Sequence, residues 1–176
     1  GGYLKNLTFI GGTCLRMCYG SPRLSEDIDF AGGTDFSPGR LDSLGRSIEE
    51  TISRKYGARV AVSEPQRDEG DTRTWKIRVD THPERPDVAS QRIHIDVCMA
   101  SSFDTGPSML RNRYGVDLGT SGIILNVETR EEILADKYCA LALRPNRVKH
   151  RDVWDIVWLA HNAVALKPEL VWKKLE

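Results

Sequence analysis

Apolar residues recur along this chain in two rhythms, and the change from one to the other divides it into elements. After Ser37 and Pro38, the residues Leu41, Leu44, Ile48, Ile52 and Tyr56 follow at steps of three or four, the spacing of one helix face. Serine then proline is a cap and first-turn pair, and Gly57 supplies a left-handed stop. Period two takes over next: Val60 and Val62, then Trp75, Ile77 and Val79, then Ile93, Ile95, Val97 and Met99. These predict strands joined by polar connectors around 67–72 and 82–91.

Upstream, residues 7–10 form an apolar approach to Gly11-Gly12-Thr13. Cys14, Leu15, Met17, Cys18 and Tyr19 suit a short buried helix, with Gly20 as its stop and Pro22 beyond. Ile28-Asp29-Phe30 reads as a short strand. Residues 101–122 are an irregular stretch longer than most loops, hence functional or poorly ordered. A strand at 123–127 precedes Thr129-Arg130-Glu131-Glu132, a capping box. The helix it opens carries Ile133, Leu134, Tyr138 and Leu141, and Pro145 ends it. Further helices are predicted at 151–161 and after Pro168. The order gives an α+β fold: a mixed, mostly antiparallel sheet flanked by helices in 1–128, and a helical C-terminal part at 129–176 packed on it as one compact unit.

Composition narrows the class. The 176 residues are 40% hydrophobic and 28% charged, which excludes disordered and fibrous chains. No apolar run reaches the ~20 residues of a membrane helix, and no signal segment opens the chain, so a cytoplasmic protein without membrane contact is expected. Basic and acidic residues balance at 25 each, so contact with nucleic acid requires a local patch. Four cysteines without a secretory signal suggest reduced thiols. The opening Gly1-Gly2 leaves flanking sequence possible.

The chemistry concentrates in carboxylates. Asp27 and Asp29 stand two apart in a strand-like segment and project from one face. Two carboxylates so placed repel unless a cation lies between them, and oxygen donors suit Mg²⁺ or Mn²⁺. Asp96 shares its face only with His94 and Cys98 in an otherwise apolar strand, and burying it unpaired is costly. If its strand adjoins that of Asp27 and Asp29, the three complete a metal site for phosphoryl or nucleotidyl transfer. The plainer reading has Asp27 and Asp29 capping a turn and Asp96 in a salt bridge. Gly11-Gly12-Thr13 before a helix offers backbone N–H groups and a hydroxyl to an anion. Asp27 follows fourteen residues after Thr13, which combines a phosphate cradle and a metal pair in one short unit.

These residues carry a resemblance. Gly11-Gly12-Thr13-x-Leu15-Arg16, followed by Gly20-x-x-Arg23-x-Ser25-Glu26-Asp27-Ile28-Asp29-Phe30, resembles the opening motif of the AbiEii/AbiGii nucleotidyltransferase toxins. That family has the DNA-polymerase-β-like nucleotidyltransferase fold and counts the mycobacterial MenT toxins among its relatives. Ala135-Asp136-Lys137 and Arg151-Asp152-x-x-Asp155-Ile156 resemble its downstream lysine and aspartate motifs. Family members usually carry more helix at one or both ends.

The resemblance implies a bacterial toxin of a toxin–antitoxin or phage-defence pair, with an antitoxin encoded nearby. It would transfer a nucleoside monophosphate from an NTP, with Mg²⁺, to an acceptor such as the 3′ end of tRNA. Asp27 and Asp29 would then be metal ligands, and Gly11, Gly12, Thr13, Arg16 and Ser25 would hold the nucleotide. Lys137 would neutralise phosphate charge and Asp152 assist at the nucleotide. Asp96 is the third carboxylate by strand alternation and by the fold family's usual triad.

Lys137 stands beside the buried positions of its helix, so its ammonium can reach along the helix edge toward a cleft. Arg144, Arg147, Lys149 and Arg151 form a cationic run that can take the backbone of an RNA acceptor. Cys14 and Cys18 lack companions at zinc-site spacing and read as buried hydrophobes. Trp154, Trp158 and Trp172 read as core. Two alternatives stay open: transfer to a protein side chain or small molecule, and a silent NTP- or RNA-binding protein.

Overall fold

The computed structural model describes residues 2–65, 70–85, 87–112, 114–145 and 147–176. In chain order the elements are β1 (Thr8–Ile10), α1 (Gly11–Cys14), β2 (Ile28–Ala31), α2 (Leu44–Tyr56), β3 (Arg59–Ser63), β4 (Thr72–Asp80), β5 (Gln91–Cys98), β6 (Thr105–Met109), β7 (Ile124–Glu128), α3 (Arg130–Leu143), α4 (His150–His161) and α5 (Pro168–Leu175). They fall into two compact units, one of 1–7 with 26–100 and one of 8–25 with 101–176. The boundary expected at residue 128 falls inside the second. Strands and helices mix as an α+β fold with parallel and antiparallel pairing, as the order of elements predicts.

In the first unit β3, β4 and β5 are antiparallel neighbours, and β2 joins β5 in parallel. Trp75, Ile77, Val97 and Phe30 are buried, which fixes one face of this sheet as the core face. The side chains of Lys76, Arg78, Arg92, His94 and Asp96 take the other. The predicted helix after Ser37 is interrupted. A single 3₁₀ turn, Pro38–Leu41, precedes α2, which starts at Leu44. Gly39, Asp42 and Ser43 are poor helix formers, and the apolar rhythm alone does not carry the helix through them. Gly57 ends α2 at φ 64°, as expected.

The second unit pairs β1 with β7 in parallel and β6 with β7 antiparallel. Strand β6 lies within the stretch read as irregular. Its sequence Thr-Gly-Pro-Ser-Met lacks alternation, and Pro107 suits only a strand edge. Helices α4 and α5 both pack on α3. The capping box forms by half: Thr129 Oγ1 accepts from the Glu132 amide at 3.2 Å. The Thr129 amide is already bonded to the Asp104 carbonyl, and the Glu132 carboxylate instead takes the amides of Phe103 and Asp104.

A largely buried cation holds α5. Lys174 Nζ lies 2.6 Å from Asp136, 2.8 Å from Glu132 and 3.7 Å from Glu128. Burial opposes its charge, but Asp136 and Glu128 outweigh that and push its pKa up. Burial, and then Asp136, push the Glu128 carboxyl up. Removing one partner of a buried pair costs about 3–5 kcal/mol, and proton uptake by Glu128 softens that here. Lys174→Ala is expected to cost about 2–3 kcal/mol in urea unfolding. A cost near zero would show that α5 is held by its apolar contacts alone.

Candidate functional site

In the first unit, Asp29 is the register partner of Asp96 on the parallel strands β2 and β5. Both side chains therefore leave the same face, on strands about 4.8 Å apart. Asp27 immediately precedes β2, and its Oδ1 lies 3.4 Å from Nδ1 of His94. On β4, Thr74 is the register partner of Asp96 and donates its hydroxyl to Asp96 Oδ1 at 2.6 Å. The adjacency of the two strands, left conditional by the sequence, is thus a feature of the fold. His94 shares the Asp96 face by strand alternation alone, whereas Thr74 joins the cluster only through the register of β4 with β5.

Among the described residues no three His, Cys, Asp or Glu side chains converge tightly enough to enclose a metal ion. The donor chemistry still fits Mg²⁺, which takes only one or two protein carboxylates and completes its shell with water and substrate oxygens. Asp29 and Asp96 are such a pair, flanked by Asp27.

In the second unit, Gly11 and Gly12 are themselves the first turn of α1, not a turn ahead of it. Gly11 has φ 74°, a backbone state that L side chains rarely adopt. At Gly12 the requirement is space. A Cβ there would run into the Arg23 guanidinium and come within 3.1 Å of Ser25 Oγ. Arg23 cannot simply yield, because its Nε and Nη2 grip Asp155 at 2.7 and 2.9 Å as a two-pronged fork. Arg16 is also committed: Nη1 donates to the Pro22 carbonyl at 2.9 Å, and its guanidinium lies over the Tyr114 ring.

Asp152 and Asp155 stand three apart on α4 and are buried, which creates a strong demand for counter-charge. Lys137 meets it, with Nζ 3.1 Å from Asp152 and 3.1 Å from Asp155. Its side chain is only 13% exposed, so it is drawn onto α4 and does not run along the helix edge as its position suggests. Arg144 Nη1 lies 2.5 Å from Asp152. Burial raises the Asp152 pKa, but Arg144 and then Lys137 outweigh it and hold the carboxyl below its ordinary value. Among the described residues, three cations, Arg23, Lys137 and Arg144, thus stand against these two carboxylates. Arg23 and Asp155 stand in the motifs of the resemblance without a role of their own; the three-residue step from Asp152 to Asp155 on one helix face is the signal for their shared site.

With Arg144 bound to Asp152, the remaining cationic run is Arg147, Lys149 and Arg151, beside a depression of about 400 Å³. Burial, and then the charges of Arg151 and Arg144, push the Lys149 pKa down. Asn146 lies outside the described residues. Of the tryptophans expected in the core, Trp172 is 66% exposed and Trp154 is 38% exposed. Cys14 and Cys18 are buried, as expected.

The architecture is that of nucleotidyltransferase toxins. MenT4, a nucleotidyltransferase toxin from Mycobacterium tuberculosis H37Rv, superposes with a TM-score of 0.62 at 23% identity, covering 94% of this chain and 53% of that one. JHP933 from Helicobacter pylori superposes with a TM-score of 0.52 at 20% identity, covering 91% of this chain and 62% of that one. The chain thus spans between half and two thirds of the length of these proteins. No curated protein matches it. The family model "Nucleotidyl transferase AbiEii toxin, Type IV TA system" matches residues 1–175, and the chain belongs to that family.

Proposed function

We propose that this chain is the catalytic part of a toxin that transfers a nucleoside monophosphate from an NTP to the 3′ end of tRNA. The observation that carries the reading is the register pairing of Asp29 with Asp96, beside Asp27. These three would hold Mg²⁺ or Mn²⁺, which when bound neutralises phosphate oxygens during transfer. Gly11, Gly12 and Thr13, with Ser25, would receive phosphate oxygens on backbone N–H and hydroxyl groups. Arg16 would act there by fixing the 22–23 turn, given its bond to the Pro22 carbonyl. Lys137, held in place by Asp152 and Asp155, would offset charge on the departing pyrophosphate. Asp152 would contribute chiefly by placing that ammonium.

Arg147, Lys149 and Arg151 supply an acceptor patch suited to RNA. A cognate antitoxin, a role in phage defence and a cytoplasmic location follow from the same reading. Among the described residues no helix is long and apolar enough to cross a membrane.

Expression in bacteria tests the toxin reading. Growth is expected to stop with the wild-type chain and to continue with Asp27→Ala at equal soluble level. Unimpaired growth under abundant soluble wild-type protein would contradict it.

A further inference from the structure

The outer face of the first unit's sheet changes sign along its length. At one end stand Asp29, Asp96 and Thr74. Two residues along β4 and β5 come Lys76 opposite His94, and two further comes Arg78 opposite Arg92. Same-face residues repeat about every 6.8 Å on a strand, and neighbouring strands lie about 4.8 Å apart. Lys76 and Arg78 therefore lead away from the carboxylates along β4, with Arg92 beside Arg78 on β5, at a spacing comparable with that of successive phosphates of a nucleic-acid strand. Lys76, Arg78 and Arg92 are exposed. Arg78 has only a loose contact with Asp80, at 3.9 Å, and among the described residues no carboxylate pairs with Lys76 or Arg92. The face is also concave: a depression of about 340 Å³ is lined by Ser63, Lys76, Arg78, Arg92 and His94.

An unpaired cationic row is ordinarily just a solvated surface. Here three features distinguish it. It is concave, it opposes cation to cation across adjacent strands at a cost in self-repulsion, and it shares a sheet face with the carboxylates assigned to nucleotidyl transfer.

We infer that Lys76, Arg78 and Arg92 bind the sugar-phosphate backbone of a single-stranded RNA end, and that this sheet face delivers the acceptor strand to Asp29 and Asp96. The inference rests on the transfer reading above and adds an RNA site outside the 147–151 segment. Single-stranded RNA fits better than an acidic protein because the cations lead to the carboxylates assigned to nucleotidyl transfer, where an RNA end supplies the acceptor hydroxyl.

The test uses the whole chain without NTP or divalent cation, so that binding is read apart from catalysis. A labelled short single-stranded RNA is titrated with wild type, Arg78→Gln/Arg92→Gln and Arg147→Gln/Lys149→Gln across a range of salt. Loss of two phosphate contacts is expected to weaken binding about tenfold at physiological salt and to lower the log–log salt slope by about 1.4. Thermal melting should be unchanged, because both arginines are exposed. Poly-glutamate should compete poorly with the RNA. Three outcomes each overturn the inference: wild type that does not bind the RNA, a sheet variant that binds as wild type does, and poly-glutamate that competes as well as RNA. NMP transfer is assayed separately with each protein. Intact transfer in the sheet variant with unchanged RNA affinity refutes this site and spares the enzyme, whereas absent transfer in wild type refutes the enzyme.

Discussion

Asp29→Asn is expected to lose nucleotide transfer by at least about 10³-fold while keeping its fold. The substitution preserves shape and one acceptor oxygen but removes the charge opposite Asp96. In the absence of a cation, two carboxylates on adjacent strands repel, so the variant should melt at or slightly above wild type, by up to about 1 kcal/mol. Lost activity with undiminished stability is what separates a metal ligand from a structural residue. A carboxylate that merely capped a turn would give the reverse pattern, with activity kept and stability lowered. Asp96 is expected to follow Asp29 in activity. Its bond from Thr74 makes Asp96→Asn less stabilising, since an amide must orient its oxygen toward that hydroxyl.

The second large effect concerns stability. Asp155 is fully buried and takes the Arg23 fork together with the Lys137 ammonium. Asp155→Ala leaves two cations facing each other in a nearly dry site and is expected to cost about 3–5 kcal/mol. For a domain of this size that corresponds to roughly a 10 °C drop in melting temperature. Arg23→Met combined with Asp155→Leu removes the fork from both sides and should recover most of the loss, because well-packed apolar replacements often equal a buried ion pair. Melting temperatures of the single and double variants decide the matter. A loss under 1 kcal/mol in Asp155→Ala would mean that water already reaches the fork.

Much of this fold is legible because its signals are local. The period-two runs at Val60, Trp75 and Ile93 and the stop at Gly57 depend on neighbours within one element. Strand β6 is not legible, since Pro107 and Gly106 erase alternation at an edge where pairing with β7 alone defines the strand. The break before Leu44 is likewise hidden from a reading that counts apolar residues and ignores the weak formers between them. At the site, the side-by-side position of Asp29 and Asp96 is predictable in face but not in neighbourhood, because register between β2 and β5 is set by distant parts of the chain.

The direction of Lys137 is hidden from its own helix for a related reason. Its own helix suggests an outward path, while the charge that captures it sits on α4. Gly12 shows the same limit: glycine before a helix suggests an anion, yet the Arg23 side chain also requires that its Cβ be absent.

Whether Asp27, Asp29 and Asp96 serve nucleotidyl transfer to RNA is read from incorporation of label from each α-phosphate-labelled NTP, with Mg²⁺, into total RNA or total protein by wild type and Asp29→Asn. Wild type is expected to label RNA with at least one NTP and to leave protein unlabelled, and Asp29→Asn to label neither. Equal labelling by the two proteins would remove the carboxylates from the chemistry, and label in protein but not in RNA would overturn the RNA acceptor.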